Sequence, residues 1–230
     1  MANYLIIGGS SGIGRALVDQ LLAEDHQLWV WSREQRDLPL SPQLHFTSVD
    51  VVEDDLPKGQ LPEQLDGLVY CPGSIDLRSF RGLKPEVFRT AYELNVIGAV
   101  RCIQAAERAL KQTEQAGIVL FSTVAVQKGM PFHAAVAAAK GGVEGLTRSL
   151  AAEYAPKIRV NAIAPSLTDT PLAAKLLSTS DKRQASAERH PLKRVAEPTE
   201  IAAMAAFLLS SQAAFMTAQV IGMDGGIGKI

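Results

Sequence analysis

Residues 132–155, FHAAVAAAKGGVEGLTRSLAAEYA, hold one lysine, Lys140, in the first half of what their composition predicts to be a single long helix. An ammonium in so apolar a helix is costly to bury without a partner. Lys140 is therefore expected to meet a polar ligand or a chain of water; the alternative is a lysine that snorkels to the surface. A second stretch, IIGGSSGIGRAL at 6–17, places Gly8, Gly12 and Gly14 at GxxxGxG spacing between an apolar run and a helical pattern. Free N–H groups and the dipole at such a helix start favour an anion such as a pyrophosphate. Gly8 permits the tight turn, Gly12 lets the backbone approach the phosphates, and Gly14 lets helix pack on strand. Together the two stretches predict dinucleotide binding. The cysteines, Cys71 and Cys102, have no CxxC spacing, so no metal site is expected and both read as small buried hydrophobes in a reducing compartment.

The elements that must position these residues follow from periodicity. NYLIIGG, LWVWS, LHFTSVDV, DGLVYCPG, AGIVLFST, IRVNAIAP and AQVIGMDGG are apolar runs of strand length, as expected of parallel strands buried on both faces. Long helices are predicted from about Pro85 to Gln112 and from Pro131 to Tyr154. The alternation predicts an α/β fold, a doubly wound parallel sheet in one domain over residues 1–230. Two crossovers are starved of helix. REQRDLPLSPQL after the second strand contains Pro39 and Pro42, and DDLPKGQLPEQLDG after the third offers at most a turn or two around PEQL. A chain of 230 residues with net charge -1 suits one core and argues against nucleic acid or an anionic membrane as partner. No apolar run reaches the roughly 18 residues of a membrane span. Met1 leads directly into YLIIGG with no basic and apolar leader, so the cytoplasm is the expected location.

The order of these motifs resembles the short-chain dehydrogenase/reductase family, in its classical, 3-oxoacyl-carrier-protein-reductase-like branch. IIGGSSGIG is followed by SVDV, by LVYCPGS where the family has VNNAG, by ELNVIG, by IRVNAIAPSLTDTP and by MDGG. The resemblance implies a Rossmann-type fold and an oxidoreductase acting on a small carbonyl or alcohol substrate. It implies cofactor contacts at Gly8, Ser10, Ser11, Gly12, Ile13, Gly14, Ser32, Arg33, Asp50, Val51, Cys71, Pro72, Gly73, Lys140, Pro165, Thr168 and Thr170. Asp50 matches the acid that meets the adenine ring. The place of the carboxylate that repels a 2'-phosphate is Ser32, and Arg33 follows it, so NADP(H) is expected over NAD(H). Ser11 is not basic, so the second cation many NADP-binding relatives carry is missing.

In the family's ketoreductases a tyrosine gives the proton, a lysine lowers the tyrosine's pKa and holds the ribose, a serine orients the carbonyl, and an asparagine keeps a water chain. Lys140 and Asn95 match the lysine and the asparagine, and Thr123 falls in the serine's place, with Ser122 pointing to the other side. The tyrosine's place is Val136, and no YxxxK exists anywhere in the chain. Thr123, a water held by Lys140, or His133 three residues before Val136 remain as donors, His133 being more simply a residue of the loop-to-helix corner. Asn residues of the NNAG segment are replaced by Tyr70 and Cys71, and Ser166 stands where a glycine usually follows Pro165. Residues 172–198 correspond to a substrate lid, polar and loose at its centre. Their cations Lys175, Lys182, Arg183, Arg189, Lys193 and Arg194 either greet an anionic substrate or form a solvated face. A homo-oligomer, tetramer or dimer, is expected through the two long helices. The alternative to an enzyme with an impaired proton site is an NADP(H)-binding pseudoenzyme serving as sensor or scaffold.

Overall fold

A computed structural model describes all 230 residues. Seven strands, β1 (Asn3–Ile7), β2 (Gln27–Ser32), β3 (Leu44–Ser48), β4 (Gly67–Tyr70), β5 (Ala116–Phe121), β6 (Ile158–Pro165) and β7 (Val220–Met223), form one sheet in the order β3-β2-β1-β4-β5-β6-β7. Every pairing is parallel. The chain runs outward from β1 in one direction and from β4 in the other. The strand order therefore reverses between β1 and β4, and a doubly wound sheet binds ligands in the crevice at that point.

Helices α1 (Gly12–Ala23) and α7 (Pro198–Leu209) cover one face. Leu17, Val18, Leu21, Ile201 and Ala205 pack there on Ile6, Val30 and Val119. Helices α3 (Gly98–Leu110) and α5 (Ala134–Tyr154) cover the other, through Ile103, Ala106, Val143 and Ala151. The β4, β5 and β6 runs are buried almost throughout, which is why their sequences show no alternation. Arg159, buried in β6, donates to the carbonyls of Leu208, Leu209 and Ser210 at 2.8, 3.3 and 3.3 Å. It thereby closes the C-terminal end of α7, whose last carbonyls have no intrahelical donor.

Several sequence expectations are refined. No helix covers the β2–β3 crossover, as the two prolines require. In the next crossover the single 3₁₀ turn is Lys58–Gln60, not PEQL. The first long helix divides into α2 (Pro85–Tyr92), a wider π turn at Glu93–Ile97, and α3. The second begins at Ala134, not Pro131: Gly129 and Phe132 have φ of +69° and +68°, which no α-helix accommodates. Before them lies a short helix the periodicity does not reveal, α4 (Val124–Lys128). The centre of 172–198 is folded, as α6 (Ser180–Glu188), with Thr179 Oγ1 accepting from the Lys182 N–H at 3.3 Å. No helix is long and apolar enough to cross a membrane.

Candidate active site

The glycine turn joins β1 to α1. Gly8 and Gly12 have φ of +77° and +54°, a region side-chained residues rarely occupy. At Gly14 the constraint is space: a Cβ there would lie 2.3 Å from the Gly8 carbonyl oxygen. Ser11 caps α1 without a side-chain hydrogen bond, so the first-turn N–H groups point into the turn with no side-chain partner. Ser10 is buried in the same turn. A bare backbone cradle on a helix N-terminus fits a pyrophosphate.

Along the same strand ends, Ser32 is buried at the end of β2 and its hydroxyl has no partner. Arg33 is exposed and engages no carboxylate; its carbonyl accepts from Ser48 Oγ at 2.9 Å. Asp50 opens the turn after β3, its Oδ1 accepting from the Val52 N–H at 2.9 Å. Val51 is buried beneath it, its carbonyl held by Arg101 at 2.6 Å.

A cleft of about 300 Å³ lies beyond the ends of β4, β5 and β6. Among the predicted residues it gathers Ile13, Cys71, Gly73, Thr123, His133, Val136, Lys140, Pro165, Thr168 and Thr170. Gly8, Ser10, Ser11, Gly12, Gly14, Ser32, Arg33, Asp50, Val51 and Pro72 do not line it. Asn95 sits behind the wall in the π turn. Its Nδ2 donates to the Ala91 carbonyl at 2.7 Å, and its buried Oδ1 has no partner. A Cβ on Gly73 would lie 3.4 Å from both Asn95 Oδ1 and Lys140 Nζ, so this glycine leaves the two polar atoms a shared space. That unsatisfied oxygen marks where a water or ligand donor belongs.

Lys140 is buried and its ammonium makes no hydrogen bond to protein. Burial lowers it to about 8, the neighbouring Cys71 opposing the shift. Burial raises the thiols of Cys71 and Cys102 to about 12. Cys102 is the buried hydrophobe the sequence suggests, whereas Cys71 is only half-buried and lines the cleft. Ser122 also lines the cleft, but its hydroxyl is spent in donating to Glu144 at 2.7 Å. Thr123 Oγ1 accepts from the Ala125 N–H at 3.3 Å, capping α4, and keeps its own proton to give. His133 precedes α5, and its Nδ1 lies 2.7 Å from the Pro131 carbonyl. A carbonyl only accepts, so Nδ1 carries the proton and neutral His133 has none on Nε2 to donate. Val136 fills the wall one turn before Lys140, and none of the four tyrosines lines the cleft.

One pair escapes the sequence reading. His190, 2% exposed, places Nε2 2.9 Å from Ser166 Oγ and Nδ1 2.8 Å from the Ser186 carbonyl. The carbonyl fixes the proton on Nδ1, so the Ser166 hydroxyl donates to Nε2. Both residues line the cleft, and the pair ties the loop after β6 to the end of α6. Ser166 was visible only as a departure from glycine; nothing in the local pattern of RHP singles out His190.

Comparison with known proteins places this architecture. The family model for enoyl-(acyl carrier protein) reductase matches residues 8–228. A tropinone reductase homolog of Arabidopsis thaliana is 31% identical over 98% of this chain and 92% of its own length. The crystal structure of a short-chain dehydrogenase/reductase from Brucella melitensis superposes with a TM-score of 0.90 at 27% identity, covering 98% of this chain and 96% of that one. A variant of actinorhodin polyketide ketoreductase solved with NADPH also gives 0.90, at 26% identity over 100% and 98% of the two chains. With a family model matching residues 8–228 and a relative 31% identical across nearly its whole length, the chain belongs to the short-chain dehydrogenase/reductase family of oxidoreductases.

Proposed function

We propose that this protein is an NADP(H)-dependent oxidoreductase for a carbonyl or alcohol substrate whose proton-donor site is impaired. The observation that carries the reading is Val136: the cleft presents a buried lysine and a threonine hydroxyl, but an aliphatic side chain where the acid would stand. In this reading the turn of Gly8, Ser10, Ser11, Gly12, Ile13 and Gly14 holds the pyrophosphate and Asp50 and Val51 meet the adenine. Cys71, Pro72 and Gly73 border the cofactor, and Pro165, Thr168 and Thr170 meet the nicotinamide. Lys140 meets the ribose. The nicotinamide supplies or takes the hydride when bound. Asn95 and Lys140 order water between them, Thr123 orients the substrate oxygen, and residues 172–198 form the lid. Lys140, through that water, is the remaining proton source. The NADPH complex of the polyketide ketoreductase supports the cofactor choice.

Arg33 meeting a 2'-phosphate makes a charge-assisted hydrogen bond of about 1.5–3 kcal/mol, or about 10–100-fold in affinity. Calorimetric titration is expected to show NADPH binding tighter than NADH by such a factor, and the preference to vanish in Arg33→Ala. Equal affinities in the wild type would refute the assignment.

The pH dependence follows from Lys140. Reduction needs its proton, so the reductive rate is full below about 8 and falls above it; alcohol oxidation needs the neutral amine and rises through the same range. Profiles of kcat in the two directions test the sign, and parallel profiles would remove Lys140 from the proton path. The reading also carries a cytoplasmic homo-oligomer, tetramer or dimer, paired through α2 and α5, where Tyr92 is exposed. Light scattering showing a stable 24.6 kDa monomer would count against it.

A further inference from the structure

The six cations of residues 172–198 divide into two sets. Arg183 pairs with Asp169 at 2.5 Å, Lys193 with Glu188 at 3.3 Å and Arg194 with Glu200 at 2.6 Å. Lys175, Lys182 and Arg189 have no carboxylate within ion-pairing distance. Lys182 Nζ reaches only Ser178 Oγ at 3.0 Å and the Lys175 carbonyl at 3.4 Å, and Arg189 reaches only Ser186 Oγ at 3.4 Å. These three unpaired cations are the ones that converge: they line a single recess on the outer side of α6.

That recess adjoins the main cleft, the two sharing Leu176, Ser186 and Arg189 as lining residues. The cleft lining includes the apolar Leu172, Ala173 and Leu176 together with Lys140 and uncharged polar groups such as Thr123 and Ser166. The chain carries 24 acidic residues, yet no Asp or Glu lines the cleft or the recess. A cavity lined by one sign of charge on low-dielectric walls concentrates ligands of the opposite sign.

We infer that the substrate is an anion: a carbonyl compound with an apolar body whose far end bears a carboxylate or comparable group, held at the mouth by Lys175, Lys182 and Arg189. The inference deepens the function proposed above and rests on its assignment of the cleft to the substrate. It also separates the two fates open to these cations, since only the unpaired three line the recess, and Arg189 alone of the six also lines the cleft. The anion sits at the lid end, away from the glycine turn, so it does not compete with the cofactor's phosphates.

The test compares oxo-hexanoate, oxo-octanoate and oxo-decanoate, each with its ketone beside the terminal methyl, against their methyl esters. Each exposed cation is worth only a few-fold and is screened by salt. At low ionic strength the acid of best-fitting length is expected to exceed its ester in kcat/KM by about tenfold, mainly through KM. The preference is expected to collapse in the triple variant Lys175→Ala, Lys182→Ala, Arg189→Ala, while the affinity for NADPH stays unchanged. Calorimetry of the same acids and esters on NADP-loaded protein reads the preference without turnover. Absent catalysis with tighter acid binding thus overturns the catalytic reading and leaves the anion site standing. The site itself is overturned by equal use and binding of acids and esters, by no binding of any acid, or by a triple variant of native melting temperature that keeps the preference.

Discussion

Val136→Tyr is expected to raise NADPH-dependent ketone reduction about tenfold or more, because a positioned general acid contributes roughly 10²–10⁴-fold and the wild type lacks one. The substitution places a phenol on the cleft wall one helical turn before Lys140, whose ammonium lies at about 8 and favours the phenolate beside it. Thr123 already offers a hydroxyl across the cleft, and Thr123→Ser, by removing a β-methyl, is expected to add to the gain. The counter-test is His133→Ala. With its proton held on Nδ1 by the Pro131 carbonyl, neutral His133 is a poor donor, so its removal should leave the slow wild-type rate little changed. Fast wild-type turnover that His133→Ala abolishes, with no gain from Val136→Tyr, would mean that the donor has moved and the site is intact.

Gly14→Ala is expected to damage stability and cofactor binding together. The added methyl would sit 2.3 Å from the Gly8 carbonyl oxygen, a backbone atom that cannot rotate away. Forcing atoms into a packed site costs about 1–3 kcal/mol. In a domain of this size each kcal/mol lowers Tm by roughly 2–4 °C. Relief requires α1 to move off β1, which carries its N-terminal N–H groups away from the phosphate position. Thermal denaturation should show the fall in Tm, and titration with NADPH a loss of affinity of about tenfold or more, the shift of one charge-assisted contact. Unchanged affinity with lowered Tm would mean that the phosphates do not lie on this turn.

Much of the frame was legible because its causes are local. The apolar runs became β1 to β7; β4, β5 and β6 are buried on both faces and so show no alternation, whereas the edge strands β3 and β7 are only partly covered. Pro39 and Pro42 forbade a helix after β2. Gly8, Gly12 and Gly14 announced a close-approach turn, and the φ values and the Gly14 contact give its reason. The spacing of Lys140 and Val136 on one helix already placed both on one wall. Less legible were the helix start at Ala134 and the small helix α4, which depend on Gly129 and Phe132 turning left-handed, and the folding of the polar lid centre into α6.

The sequence by itself determined which chemistries are present and which is missing: a cradle for an anion, a lysine in an apolar helix, and no tyrosine spaced to serve it. Tertiary structure alone decided how the charges and lone pairs are spent. Six lid cations look alike in a row, but pairing depends on Asp169 and Glu200, which only the fold brings beside Arg183 and Arg194. Asn95 was marked by its resemblance to the family asparagine, but only the π turn and Gly73 bring its Oδ1 and Lys140 Nζ to one shared space. His190 and Ser166 are 24 residues apart and meet because α6 folds back on the loop after β6. Short-range sterics and periodicity are written along the chain, whereas hydrogen-bond and ion-pair partners are set by distances between segments that the core, in packing, brings together.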